Sequence, residues 1–237
     1  MIIALWSAPR SRSTAFFRAM AERGDLLALH EPFCNVTDHG ETDGPAGPVR
    51  SHPELIAALR AASAGARVFF KDTTDNRYPA VLADRRFLAE VRHTFLIRDP
   101  AEVAASFYAI DPGMCRADVG LEHLAELYDA AVAHAGAAPV VVDAADLAAH
   151  PAATMAAYCA ATGLPFRPEA LHWQAGDRSE WRRTAEWHTD VAASTGLSGT
   201  TSRYPHTVHN TPLLAGFAAH HRPYYERLRA HRLAIGA

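Results

Sequence analysis

The stretch LWSAPRSRST, residues 5–14, decides how the rest of the chain is read. It closes an apolar run, IIALW at 2–6, breaks at Pro9, and then sets Arg10 and Arg12 among the hydroxyls of Ser11, Ser13 and Thr14. An apolar run ahead of a proline turn predicts a short buried strand. The AFFRAMAER pattern that follows, stopped at Gly24, predicts a helix entered through Ser13 and Thr14. A strand, turn and helix in this order form the setting of a phosphate loop. The Walker A pattern GxxxxGK[ST] is nevertheless met poorly: Ser7 and Arg12 fall at the glycines, Ser13 at the lysine, and only Thr14 at its own hydroxyl position. The physics still suits an anion, because N–H groups at a helix start point outward and the helix dipole is positive there. Arginine and hydroxyl side chains add further donors. Taken alone, the segment is also compatible with a capped helix carrying solvated arginines.

Working outward, LLALHEPF reads as a second strand ending at His30 and Glu31, and ARVFFKDTT as a third carrying Lys71 at its end. VRHTFLIRDP reads as a fourth, closed by Arg98, Asp99 and Pro100, and APVVVDAADLAAHP as a fifth strand with the turn after it. Helical patterns lie between them: PELIAALRAASAG, AEVAASFYAI, LEHLAELYDAAVAHAG and AATMAAYCAATGLPF, the last stopped by Gly163 and Pro165. Continuous apolar strands alternating with helices imply a parallel sheet covered on both faces. Ligands of such sheets sit beyond the carboxyl ends of the strands. The opening stretch, His30, Glu31, Lys71 and Arg98 all fall at that edge. Residues 36–52, rich in glycine, proline and polar side chains, read as a loop or lid. The chain is expected to form one domain over 1–237, with residues 172–237 completing the site and ending in a helix over roughly 212–235.

Composition narrows the function. A length of 237 residues supports a full core, and a net charge of −3 gives no basic surface for bulk nucleic-acid or anionic-membrane binding. No apolar stretch approaches the ~20 residues of a membrane span. The N-terminus lacks the charged region of a signal peptide. Cys34, Cys115 and Cys159 are scattered, with no CxxC pair, which fits a reducing cytoplasm. His206, His209, His220 and His221 lack supporting ligands at metal-site spacing and read as solvated. Trp173, Trp181 and Trp187 fit either an acceptor pocket or ordinary packing. Of the 23 basic residues, 22 are arginine, and the one lysine is Lys71. Lysine offers a compact ammonium that arginine does not reproduce.

PRSRST at 9–14 resembles the 5′-phosphosulfate loop of the sulfotransferase superfamily, and IRDPAEVAASFY resembles its 3′-phosphate segment, with Arg98 and Ser106 at the family's spacing. VVVDAADLAAHPAATMAAYCAATGLPF and WHTDVAASTGLSG are similar to later segments of bacterial and fungal members, in the same order. The resemblance implies an α/β, P-loop-like three-layer fold with a central parallel sheet and a helical C-terminal segment. It implies 3′-phosphoadenosine 5′-phosphosulfate (PAPS) as sulfuryl donor, with 3′,5′-ADP as product. Arg10, Ser11, Arg12, Ser13 and Thr14 then hold the phosphosulfate end, and Arg98 and Ser106 the 3′-phosphate. Ser202 and Arg203 assist from the C-terminal loop. The chain departs from the family pattern in having Arg12 where a glycine is common, and Thr73 where many cytosolic members carry a catalytic histidine.

Sulfuryl transfer needs an aligned acceptor, a proton acceptor and neutralisation of the leaving phosphate. Phosphosulfate carries less charge than a triphosphate tail, so no metal is expected. Lys71 is assigned to the bridging oxygen or the transferred group. Glu31 is the first choice of base and His30 the second; alternation along a strand would keep both from reaching the acceptor. The expected partner is a small-molecule acceptor offering a hydroxyl or amine, with no nucleic acid and no membrane, and a homodimer left open. A kinase on the same fold and a silent nucleotide-binding protein are the alternatives.

Overall fold

A computed structural model describes residues 1–134, 138–197 and 203–235. Its first strand, β1 (Ile2–Ser7), is buried along its whole length. Helix α1 (Ser13–Glu22) leads to β2 (Leu27–His30), and α2 (Pro32–His39) follows at once because Pro32 occupies its first turn. A hairpin of β3 (Thr42–Gly44) and β4 (Gly47–Val49) precedes α3 (His52–Ala62), whose cap Ser51 accepts from the Glu54 amide at 3.3 Å. Residues 36–52 therefore carry regular structure rather than an irregular loop. Their glycines mark the end of α2, at Gly40, and the hairpin turn, at Gly44 and Gly47, between short regular elements.

Strand β5 (Val68–Thr73), helices α4 (Pro79–Ala83) and α5 (Arg85–Glu90), and strand β6 (Val91–Ile97) come next. Asp99 caps α6 (Pro100–Tyr108) by accepting from the Ala101 amide at 2.8 Å. After α7 (Leu121–His134), β7 (Val140–Asp143), α8 (Ala144–Ala149) and α9 (Pro151–Thr162), the chain runs through a kinked 3-10 stretch, Ser179–Trp187. It then forms α10 (Thr189–Ala193) and α11 (Pro212–Arg229), the latter ending short of the expected 235.

The main sheet is parallel, in the order β2-β5-β1-β6-β7. Strand periodicity divides its core in two. Ile2, Ala4 and Trp6 face one apolar layer, built with Leu55, Phe87, Val103, Leu124 and Leu228, while Ile3 and Leu5 face another, built with Phe16, Phe17, Met155 and Tyr158. Two helical layers on one sheet give the expected α/β/α sandwich. Because β1 lies at the centre, with β5 on one side and β6 on the other, the crevice at its carboxyl end is where a ligand finds room. Among the described residues, no helix is long and apolar enough to cross a membrane.

Candidate active site

The ladder around β1 ends at Ser7, opposite Thr73 on one side and Leu96 on the other. Beyond it the chain turns through Arg10 and Arg12, both left-handed, with φ of 57° and 65°. Arg12 takes the N-cap position of α1, so its backbone does what a glycine does freely, at a cost of ~1–2 kcal/mol. The amides of the first helical turn have no partner inside a helix, which suits that end of α1 to an anion. Ser11 does not join them; it is buried, and its hydroxyl bonds the Pro9 carbonyl at 3.3 Å. Gly120 presses on this loop from behind: a Cβ there would stand 2.6 Å from Pro9 Cδ and 3.0 Å from the Thr74 carbonyl carbon.

A cavity of about 260 Å³ opens above this edge. One part of its wall is cationic and rich in hydroxyls: Arg10, Arg12, Ser13, Thr14, Arg98 and Ser106. Arg10 Nε donates to Ser106 Oγ at 3.1 Å and its Nη1 to the Trp187 carbonyl at 2.5 Å. Arg98 donates to the Arg10 carbonyl at 2.5 Å and to Glu102 at 2.7 Å, and Tyr204 donates to Ser106 at 2.9 Å. Burial lowers the pKa of Arg10 and Arg12, and the nearby charge of Arg98 adds to it. Crowded, partly desolvated guanidinium groups are a place where an anion is stabilised. Asp99, beside Arg98, is gripped by both terminal nitrogens of Arg222 on α11, at 2.7 and 2.8 Å.

Deeper in the cavity stand Glu31 and Lys71. Strand pairing sets His30 against Lys71, and the Glu31 amide still donates to the Lys71 carbonyl at 2.6 Å. The backbone then turns left-handed at Glu31, with φ 49°. Asp72 holds that turn by accepting from the Phe33 and Cys34 amides at 2.7 and 3.0 Å. The turn places the Glu31 carboxylate in a buried ion pair with the Lys71 ammonium. Burial alone would raise the Glu31 pKa, but Lys71, then His30 and His188, outweigh it and hold the group well below the usual carboxylate range.

The alternation expected for His30 and Glu31 does not hold, because Glu31 has left the strand: His30 Nδ1 lies 3.7 Å from its carboxylate. His30 itself is packed against Phe17, Trp181 and His188, with ring centroids 5.0, 5.6 and 5.0 Å away, and is not part of the cavity wall. Burial lowers its pKa strongly. His188, which sequence reasoning passed over, does line the cavity. Its Nδ1 meets Thr14 Oγ1 at 3.0 Å and its Nε2 meets Thr184 Oγ1 at 3.1 Å. Burial first, and the charges of Lys71 and Arg10 next, push it down to about 4. The WHTDVAASTGLSG segment was the only sequence signal for it.

Of the three C-terminal tryptophans, Trp187 lines the cavity and packs on Phe107 at 5.0 Å, while Trp181 is core and Trp173 lies under Arg18 at 5.2 Å. Arg203 is exposed and is not among the lining residues; Ser202 lies outside the described residues. Among the described residues, one group of three side chains, His30, Glu31 and His188, brings potential metal-ligating atoms within 4.8 Å of one another. Glu31 is engaged by Lys71, and His188 by two threonines.

Such a fold and site define an α/β protein with a cavity lined by cationic and hydroxyl side chains at a helix start beyond the central strand. Residues 1–232 match the family profile described as a sulfotransferase domain, and the chain belongs to that family. Its structure is similar to the sulfotransferase domain from the curacin biosynthetic pathway (TM-score 0.54, 15% identity, covering 92% of this chain and 96% of that one). It is likewise similar to the sulfotransferase domain of the Synechococcus PCC 7002 olefin synthase (TM-score 0.51, 15% identity, covering 92% and 93%). At those identities the likeness is one of fold. In sequence the chain is 29% identical over 215 residues to branched-chain-amino-acid aminotransferase-like protein 2 of Arabidopsis thaliana, covering 87% of this chain. It spans 38% of that relative's length.

Proposed function

We propose that the chain transfers a sulfuryl group from PAPS to a small-molecule acceptor. The observation that carries this reading is the convergence of Arg10, Arg12 and Arg98 with Ser13, Thr14 and Ser106 on one cavity that also holds the only lysine. The donor set consists of guanidinium, hydroxyl and helix-start amide groups, all of which favour phosphate and sulfate oxygens. PAPS supplies the activated sulfuryl group. Arg12, Ser13, Thr14 and the first-turn amides bind its phosphosulfate end, and Arg98 and Ser106 bind the 3′-phosphate. Arg10 braces both, through Ser106 and the Trp187 carbonyl. Trp187 and Phe107, whose rings meet at 60°, offer apolar surface for the base.

Lys71 neutralises charge on the leaving side, and in doing so releases Glu31 from its ion pair. Glu31, relieved of the cation that keeps it acidic, takes the acceptor proton. His188 holds Thr14 to Thr184 and keeps the donor loop and the C-terminal segment in register. The groups named balance charge without a metal.

Calorimetric titration of the purified protein with 3′,5′-ADP in the presence of a chelator tests this. Binding is expected in the micromolar range, and Arg98→Ala is expected to weaken it about 10–100-fold, the equivalent of ~1.5–3 kcal/mol for a hydrogen bond to a charged group. Tight binding of ATP that requires Mg²⁺, with none of 3′,5′-ADP, would overturn the reading. Turnover left intact by Glu31→Gln would remove Glu31 as the base.

A further inference from the structure

The cavity has a second part that the donor chemistry leaves unused. Away from the arginines its wall is made by Cys34 and Asp38 from α2 and by Thr73 and Asp75 from the end of β5. The nearby charges acting most strongly on Arg12 are those of Arg98 and Glu102, whereas those acting on Asp75 are Glu31 and Asp38.

The carboxylates on this side are not equally compensated. Glu31 is answered by Lys71, and Asp72 by the α2 amides and the Tyr78 hydroxyl. Asp38 accepts from Asn76 at 3.0 Å and from the Cys34 thiol at 3.1 Å, both neutral donors. Asp75 has less: its Oδ1 is closed off from solvent and has no hydrogen-bond partner among the described residues. Neither Asp38 nor Asp75 forms an ion pair among the described residues. Burial, reinforced by Glu31 and Asp38, pushes the Asp75 carboxyl up to about 6. Asp75 lines the cavity, and a buried carboxylate oxygen without a donor is expensive to leave so.

We propose that this part of the cavity receives the acceptor and that the acceptor is an amino alcohol, its ammonium group held by Asp75 with Asp38 beside it. An ammonium ion has no lone pair, so the amine recognised here is not the nucleophile; the hydroxyl of the same molecule is. In the transfer that hydroxyl gives its proton to Glu31 and forms the new O–S bond, while the S–O bond to the phosphate breaks and the phosphate oxygen leaves with the electron pair. The choice of hydroxyl rests on the sulfotransferase reading above. The cation site itself does not.

The test uses protein carrying ¹³C-labelled aspartate carboxyls and saturated with 3′,5′-ADP, with the Asp75 resonance assigned by its loss in Asp75→Asn. The probes are 5-amino-1-pentanol and the neutral 1,5-pentanediol. The amine is expected to lower the Asp75 titration midpoint by about one unit, a tenfold preference for the ionised carboxylate, and the diol to leave it in place. Asp75→Asn is expected to abolish amine binding while its affinity for 3′,5′-ADP stays that of the wild type, which also shows that the variant is folded. An equal response to both probes, no response to either, or amine binding retained in Asp75→Asn would overturn the proposal. If the wild type fails to bind 3′,5′-ADP, the donor reading falls alone, and the same titration without nucleotide still decides the cation site.

Discussion

Gly120 and Gly40 have the same backbone conformation, φ +76°, in different surroundings, and the pair isolates what holds the donor loop in place. Alanine at either position must adopt a left-handed conformation, at ~1–2 kcal/mol. At Gly40 the new methyl meets nothing within 4 Å, so that is the whole expected cost. At Gly120 it meets Pro9 Cδ at 2.6 Å and the Thr74 carbonyl carbon and oxygen at 3.0 and 3.1 Å. Neither neighbour yields easily: one belongs to a proline ring, and the other is main chain whose Thr74 hydroxyl also bonds the carbonyls of Ser7 and Gly120. Overpacking of this kind adds ~1–3 kcal/mol. Gly120→Ala is therefore expected to destabilise by ~2–5 kcal/mol, and Gly40→Ala by ~1–2 kcal/mol. Urea unfolding of both variants measures the difference directly. Calorimetry with 3′,5′-ADP supplies the functional half: affinity should drop in Gly120→Ala, where Pro9 is displaced, and hold in Gly40→Ala. If Gly120→Ala is no more destabilising than Gly40→Ala, the contact with Pro9 does not brace the loop.

Lys71→Met keeps the volume but leaves a buried carboxylate without its cation, so a loss of ~3–5 kcal/mol is expected by urea unfolding at neutral pH. Because the folded pKa of Glu31 is depressed, the wild-type contribution is present above the ordinary carboxylate range and fades as the pH falls below it; a loss of the same size at pH 3 would refute the pairing. His93 Nδ1 accepts from Trp6 Nε1 at 2.9 Å and must stay unprotonated, and burial pushes the imidazole down to about 4. The unfolded state then takes up the proton first, so stability is full above about pH 6.5 and declines by up to ~3 kcal/mol toward pH 4. His93→Gln, whose amide oxygen still accepts from Trp6, should flatten that decline, and an unchanged slope would refute the assignment. Arg222→Ala should cost ~1 kcal/mol or less in unfolding, being half exposed. The same variant should weaken 3′,5′-ADP severalfold, because Asp99 caps α6, which follows Arg98 directly and carries Ser106; unaltered affinity would detach α11 from the site.

The strands were legible because a parallel strand buried on both faces carries a continuous apolar run, and IIALW at 2–6, VFF at 68–70 and FLI at 95–97 are such runs. Once they were placed, the meeting of Arg10–Thr14 with Arg98 and Ser106 followed, since β1 and β6 are neighbours and both clusters lie just past their ends. The Glu31–Lys71 pair was not legible. It depends on β2 lying against β5 in a register that sets His30 beside Lys71, and on a left-handed turn that no preference of glutamate announces. His188 was hidden for a similar reason: the stretch before it is bent at Trp181 and Thr184, so no helical or strand period tells which side chain faces inward. In 36–52 the glycines mark the turns, and the elements between them are too short to show a helical or strand period.

The non-glycine residues with positive φ among the described residues are Arg10, Arg12 and Glu31, and all three line one cavity. Each holds ~1–3 kcal/mol of backbone strain that the surrounding structure must sustain. The optimum for durability and the optimum for chemistry therefore lie at different sequences. Laboratory evolution under heat alone should drift toward glycine at Arg12, yielding a hardier protein with a poorer binding wall. Evolution under a demand for turnover should keep all three and gather its stabilising changes elsewhere.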